Sequence, residues 1–366
     1  MVEWKKLGEI ANITIGEFVH RDKQNPKAKY PVYNGGTTYT GFYEYYNNTG
    51  NKIVISARGY AGFVNRVFDN YWAGNSSYSI DINNSKVLWH YVYYYLKNEQ
   101  YNIMSMQQKG GGLAAISKKQ VQELLIPIPS LSEQQRIVSI LDTFTSSISN
   151  LKQQIEERRK QYEYERDLLL DLEGKEGVEM KKLGEVANFV KDRIEASFLN
   201  SQNYVSVENL LKDKAGRIDS ENVPFKGNWS CYKHGDVLIG NIRPYLRKIW
   251  LADRKGGTNG DVLIIRPNEF ILPQFLYCVL ASEKFFEYYN QTAKGGKMPR
   301  GEKSRALSYI IPLPPLSTQS RIVSILDTFE QSISNLEEQL AMREKQYEYY
   351  RNQLLTFEGE EERGKT

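Results

Sequence analysis

The chain has 366 residues, 40% apolar and 25% charged, with a net charge of +4 and only two cysteines, Cys231 and Cys278. That balance is ordinary for a globular protein, and the length suits about two domains. No stretch reaches the roughly 18 apolar residues of a membrane helix, the first residues lack the apolar core of a secretory signal, and two distant cysteines make no disulfide framework, so a cytoplasmic protein with no membrane partner is expected.

The charge is unevenly spread. Residues 1–131 carry +5 and residues 181–316 carry +7, while 132–172, 173–180, 317–357 and 358–366 each carry −2. Two basic blocks joined by acidic segments suit a pair of polyanion-binding domains.

The first block, residues 1–131, opens with WKKLGEIAN and holds 14 of the 26 tyrosines. YPVYNGGTTYTGFYEYY (30–46) reads as strands and turns, KIVISARG (52–59) as a strand, and VLWHYVYYYLK (87–97) as a helix. A basic, glycine-containing loop, QQKGGGLAAISKK, follows at 107–119. Glycine lets a phosphate approach the backbone, and lysine and arginine neutralise it. Lys109, Lys118 and Lys119 are therefore candidate DNA contacts, with Arg58 at the end of the strand.

Residues 132–172 read as one helix. Ile137, Leu141, Phe144, Ile148, Leu151, Ile155, Tyr162 and Leu169 recur in steps of three and four, with Arg158 and Glu165 filling the remaining seam positions. Ser132 is placed to cap it, with Gln135 completing a capping box, and Gly174 and Gly177 to stop it. At 1.5 Å per residue such a helix runs about 58 Å.

A linker, 173–180, leads to the second block, 181–316. Strands are expected in DVLIGNIRPYLRKIWLAD (236–253) and DVLIIRPN (261–268), and a helix over PQFLYCVLASEKFFEYYN (273–290). TAKGGKMPRGEKSR (292–305) is a second basic glycine loop. Its Lys294, Lys297, Arg300 and Arg305 join Arg243 and Arg247, at the end of a strand, as candidate DNA contacts; arginine can also read guanine through two hydrogen bonds. Residues 317–357 repeat the helix with a seam of Ile322, Leu326, Phe329, Ile333, Leu336, Leu340, Tyr347 and Leu354. Ser317 keeps the cap but Ser320 leaves the box incomplete, Gly359 follows as a stop, and 358–366 is an acidic tail.

The chain is one pattern written twice. WKKLGEIAN at 4–12 returns as MKKLGEVAN at 180–188, and IPIPSLSEQQRIVSILDTF at 126–144 returns as IPLPPLSTQSRIVSILDTF at 311–329. Between these blocks the halves diverge, although KIVISARG still matches DVLIGNIR. The expected fold is α+β: two similar α+β domains separated by two long coiled-coil helices in an internal pseudo-twofold repeat. The twofold favours antiparallel pairing of the helices with each other. Pairing with a second copy of the chain stays open.

Motifs for chemistry fail on context. GEEERGKT (359–366) spells a phosphate loop, but a coiled-coil helix precedes it, no helix follows, and three glutamates would repel a nucleotide. His20, His90 and His234 are isolated, so no metal site or catalytic residue is assigned.

The repeated IPIPSLSEQQRIVSILD and IPLPPLSTQSRIVSILD resemble the end of the target-recognition domain of type I restriction–modification specificity subunits, and WKKLGEIAN and MKKLGEVAN resemble its opening. The likeness covers nearly the whole chain, twice; Thr318 and Ser320 in the second copy are departures that touch only the cap. It implies target-recognition domains at 1–131 and 181–316 and conserved helices at 132–172 and 317–357. It also implies double-stranded DNA with a bipartite target, one half per domain, and helices that fix the unread spacer. The implied partners are two modification (methyltransferase) subunits and, in a restriction complex, two motor and nuclease subunits. This chain would be no enzyme and hold no cofactor; S-adenosylmethionine, ATP and Mg would belong to the partners. The rival readings are a subunit of a stand-alone methyltransferase complex, a nuclease or methyltransferase fused to a reader, and a coiled-coil scaffold that ignores DNA.

Overall fold

A computed structural model describes residues 2–107, 114–291, 293 and 295–357. The chain divides into two units, Met1–Lys152 with Glu338–Thr366, and Gln153–Glu337.

The first unit contains β1 (Glu3–Lys6), α1 (Leu7–Ile10), β2 (Ala11–Ile15), β3 (Tyr30–Tyr33), β4 (Gly41–Tyr43), β5 (Lys52–Ser56), β6 (Val64–Val67), β7 (Trp72–Ala73) and β8 (Ser77–Ile82), then α2 (Trp89–Asn98), α3 (Gln100–Ser105), α4 (Lys118–Gln122), β9 (Leu125–Ile128) and the start of a long helix, α5 (Leu131–Leu170). The inner sheet runs β2-β8-β5-β6 and is antiparallel throughout. Ile53, Ile55 and Ile80 of this sheet pack with Tyr91, Val92 and Leu96 of α2, all buried. The tyrosine run is therefore core. Each buried ring needs a partner for its hydroxyl: Tyr91 donates to the Pro127 carbonyl (2.8 Å) and Tyr94 to Asp142 (2.5 Å). An outer sheet, β4-β3-β7, pairs β3 antiparallel with β4 and parallel with β7.

The second unit contains β10 (Glu179–Lys182), α6 (Leu183–Val186), β11 (Ala187–Phe189), β12 (Arg193–Glu195), β13 (Tyr204–Val205), β14 (Asn228–Tyr232), β15 (Val237–Gly240), β16 (Ile249–Leu251), β17 (Gly256–Thr258), β18 (Val262–Pro267), α7 (Pro273–Leu280), α8 (Glu283–Gln291), α9 (Lys303–Leu307), β19 (Ile310–Leu313) and the start of the second long helix, α10 (Leu316–Leu355). Its inner sheet, β11-β18-β15-β16, repeats the order of the first, and the β10–β19 ribbon repeats β1–β9. The outer sheet repeats only its parallel pair, β13 with β17 as β3 with β7, and is otherwise built differently, as four strands in the order β12-β14-β17-β13. The single helix expected over 273–290 is two. Ser282 breaks it, donating back to the Val279 carbonyl (2.7 Å) and accepting from the Phe285 N–H (3.3 Å), the bond of an N-cap.

Both long helices have 40 residues, about 60 Å at 1.5 Å per residue. Within the first unit Phe144 stacks on Tyr350 (5.3 Å between centroids) and Lys152 pairs with Glu344 (2.9 Å), so the chain directions oppose. Within the second, Arg159 meets Glu337 (2.5 Å) and Tyr162 donates to Glu330 (2.9 Å), again antiparallel.

The seam residues fall in the same two places. Ile137, Leu141, Phe144, Ile148, Leu151, Leu340, Tyr347 and Leu354 lie in the first unit, and Ile155, Tyr162, Leu169, Ile322, Leu326, Phe329, Ile333 and Leu336 in the second. Ile137, Leu141, Ile155, Ile322 and Leu326 are buried and the others half-buried.

The helix ends differ from expectation. Ser130, not Ser132, caps α5, accepting from the Glu133 N–H (3.3 Å), and Ser132 and exposed Gln135 lie inside the first turns. Helix α10 starts on the Pro315 carbonyl, which accepts from the N–H groups of Thr318 (2.9 Å) and Gln319 (3.0 Å), so Ser317 is not its cap. Helix α5 ends at Leu170, before Gly174 and Gly177, because buried Leu172 turns the chain into the core; the two glycines take left-handed turns beyond it (φ 73° and 74°). Gly359 and GEEERGKT lie outside the described residues.

Candidate nucleic-acid interface

The two sets of basic candidates in each unit converge at one end of the inner sheet. In the first unit β5 runs into Ala57 and Arg58. The residues that close the glycine loop pair back onto them: Arg58 forms an antiparallel bridge with Ala115, and the Ile116 N–H donates to the Ala57 carbonyl (3.0 Å). Arg58 is exposed. Lys118 and Lys119 are exposed on α4, whose start is fixed by a reciprocal capping pair: the Gln120 N–H donates to Ser117 Oγ (3.2 Å) and the Ser117 N–H to Gln120 Oε1 (2.9 Å). Lys109 lies outside the described residues.

The second unit repeats the plan. Ile242 bridges Arg300, the Arg243 N–H donates to the Pro299 carbonyl (2.7 Å), and the Gly301 N–H to the Asn241 carbonyl (3.1 Å). Lys297 and Arg300 are exposed, and Arg300 leans on Asp261 at 3.1 Å. Arg305 sits on α9 with its guanidinium 5.9 Å from the Tyr288 ring. Lys294 lies outside the described residues.

Arg243 and Arg247 behave differently from each other. Both have left-handed backbone (φ 52° and 49°), a conformation uncommon outside glycine that tends to gather at functional loops. Arg247 is engaged: it donates to Asp213 (2.6 Å) and Glu283 (2.9 Å), and the bond to Asp213, followed by that to Glu283, raises its pKa. Its charge is balanced within the fold. Arg243 is half-buried, and its Nε is buried without a hydrogen-bond partner among the described residues.

Buried Gln134 and Gln319 escaped sequence reading. Gln134 joins α5 to the segment before α2 by two hydrogen bonds and closes its own helix start with a third to the Pro129 carbonyl, and Gln319 does the same in the second unit with the segment before α7 and the Pro314 carbonyl. The repeat itself carried the signal, since glutamine stands at both positions. Among the described residues no group of three or more His, Cys, Asp or Glu is placed to hold a metal, and no helix is long and apolar enough to cross a membrane.

A framework kept twice, outer sheets extended in two ways, and basic loops at matched ends define a tandem-repeat protein with two unlike layers mounted on a duplicated scaffold. The family follows from its relatives. The chain belongs to the type I restriction modification DNA specificity domain family, whose pattern matches residues 1–158 and again 175–342. It is 28% identical over 398 residues to the specificity subunit of the type I restriction enzyme EcoR124I/EcoR124II of Escherichia coli, covering 97% of this chain and 94% of the relative. It is 26% identical over 294 residues to the specificity subunit of the type I restriction enzyme MjaVIII of Methanocaldococcus jannaschii, covering 75% of this chain and 69% of the relative. The fold is shared with the crystal structure of the S subunit of a type I restriction–modification system from M. genitalium (TM-score 0.67, 19% identity, 97% of both chains). It is also shared with a chain from a study of complex assembly and conformational transition in the type I system (TM-score 0.56, 18% identity, 97% of this chain and 96% of that one).

Proposed function

We propose that this chain reads a bipartite DNA target, one half per α+β domain, as the non-catalytic specificity subunit of a type I restriction–modification complex. The observation that carries this is the contrast between the sheets: the inner sheet has the same strand order in both units, and the outer sheet does not. A duplicated scaffold with two unlike outer layers suits two unlike half-sites. The exposed Arg58, Lys118, Lys119, Lys297 and Arg300 hold the phosphates and set register, and nearby polar side chains read base edges.

The paired helices fix the unread spacer and dock two modification subunits. Tyr164 and Tyr349, each exposed and separated by the repeat offset, and Leu168 and Met342 offer apolar contacts for them. S-adenosylmethionine belongs to those subunits. ATP and Mg²⁺ belong to motor and nuclease subunits where the complex restricts. This assignment places the chain in the cytoplasm.

Footprinting of the purified chain with its modification subunits tests the reading. Two protected segments flanking an unprotected spacer are expected, with affinity falling steeply as salt rises. A single contiguous protected segment contradicts it, as does methyl transfer by this chain alone.

A further inference from the structure

In the first unit a cleft of about 750 Å³ opens beside the outer sheet, lined among others by Phe18, His20, Arg21, Gln24, Asn34 and Thr40. No carboxylate lines it. It offers an aromatic edge, with Phe18 and His20 at 4.6 Å between centroids, a cation and the polar side chains of Gln24, Asn25, Asn34 and Thr40. Three of those polar groups are partly engaged: Asn25 Oδ1 accepts from the Lys27 N–H (2.9 Å), Asn34 Oδ1 from the Ser76 N–H (3.0 Å), and Thr40 donates to the Val32 carbonyl (3.2 Å).

Gln24 is different. It is half-buried, yet its amide has no hydrogen-bond partner among the described residues. It packs against Gly41, where a Cβ would overlap its amide oxygen. The second unit handles its amides otherwise. Beside β13, Asn203 donates to the Phe198 carbonyl (2.9 Å) and accepts from the Asn200 N–H (2.7 Å), and so closes a turn on itself.

The cleft is joined to the basic interface. Asn34 runs directly into Gly35, a left-handed turn residue (φ 77°) whose carbonyl accepts from the N–H of Tyr60 (3.0 Å), two residues beyond Arg58. A side chain at Gly35 would strike the Arg58 carbonyl. The cleft and the exposed Arg58 are therefore linked through the backbone at Gly35 within this unit.

We propose that this cleft is the base-reading site of the first domain, and that the Gln24 amide makes the paired donor–acceptor contact to an adenine edge in the major groove. An amide presents one donor and one acceptor side by side, which matches adenine N7 and N6. The apolar wall of Phe18 accommodates the methyl group of a thymine. The inference rests on the proposed reading of one half-site per domain.

The test selects bound sequences from a duplex library with randomised positions, using the full chain with its modification subunits, as wild type, Gln24→Glu and Gly41→Ala. The wild type should enrich a bipartite motif with an A·T pair in one half. Gln24→Glu should weaken preference for that adenine by about 5- to 100-fold and favour cytosine, whose amino group a carboxylate accepts, while the other half stays unchanged. Gly41→Ala, which displaces the Gln24 amide without changing its chemistry, should loosen the same position. An unchanged motif in both variants overturns the inference alone. A uniform loss over all sequences with no change of motif overturns it too, because the cleft would then hold phosphate. A wild type that enriches no bipartite motif overturns the proposed function and this inference with it.

Discussion

The side chain of Gln134 accepts a hydrogen bond from the backbone N–H of Leu88 at 2.9 Å, tying the first turn of α5 to the residue that opens α2. Its amide nitrogen donates to the Lys86 (3.0 Å) and Pro129 (2.9 Å) carbonyls. Gln319 repeats the clamp on Leu272 N–H (2.8 Å) and the Phe270 (3.0 Å) and Pro314 (2.9 Å) carbonyls. Each long helix is thus anchored to its own domain by one fully buried amide that serves an otherwise unpaired N–H at a helix start.

Replacing either glutamine should loosen that anchorage. Gln134→Leu and Gln319→Leu each leave buried backbone groups without partners, at a cost of about 1–3 kcal/mol. Gln134→Glu should also destabilise despite its similar shape, because an ionised carboxylate cannot donate to two carbonyls. Urea denaturation measures the loss, and a midpoint equal to that of the wild type would mean that the clamp does not anchor the helix.

The two copies also share an aromatic contact. Arg343 lies 5.6 Å from the Phe144 ring in the first unit, and Arg158 lies 5.9 Å from the Phe329 ring in the second. A double-mutant cycle with Arg343→Met and Phe144→Leu should give a coupling of about 0.5–1 kcal/mol. Strict additivity would mean that the arginine only fills space.

Much of this frame was legible in sequence because it is periodic or repeated. The seam from Ile137 to Leu169 showed itself through its spacing, and KIVISARG against DVLIGNIR located two matching inner strands. What stayed hidden depends on tertiary context. Ser130 outranks Ser132 as the cap because the extended Pro127–Pro129 approach ends there, and the helix takes its phase from buried Gln134. Ser282 splits α7 from α8 by a local side-chain bond that apolar periodicity does not register. Arg247 looked like a free cation until the fold brought Asp213 and Glu283 to it. The Gln24 cleft sets the stretch from Phe18 to Pro26 against Asn34 and the start of β4, a juxtaposition that no linear motif spells.

Lys97 should make the first unit pH-dependent. Its ammonium is half-buried, donating to the Val64 carbonyl (2.9 Å) and Gln100 (2.8 Å), and burial lowers its pKa to about 8. The unfolded chain keeps that proton up to the ordinary lysine range. Above pH 8 the unfolded state therefore holds more protons than the folded one, and stability rises with pH, by at most about 1.4 kcal/mol per unit. The Cys231 and Cys278 thiols, pushed up by burial, act in the opposite sense as pH nears 9, so thermal melts from pH 7.5 to 9 should show wild type gaining stability relative to Lys97→Met. Parallel curves would assign the slope to another group.

The arginines at the sheet ends should separate into two kinds. Arg58 is exposed, without an ion-pair partner among the described residues, whereas Arg247 is held by Asp213 and Glu283. Arg58→Ala and a Lys118→Ala/Lys119→Ala pair should weaken DNA binding about equally for all sequences. Each should also reduce the dependence of log affinity on log salt, by about one for every phosphate left without its cation. Arg247→Ala should leave that salt slope unchanged and instead lower stability by about 1 kcal/mol, the modest value suited to a partly exposed ion pair. The opposite assignment, with Arg247→Ala flattening the salt dependence and Arg58→Ala affecting only folding, would mean that DNA lies against the β15–β16 connection and draws Arg247 away from its carboxylates.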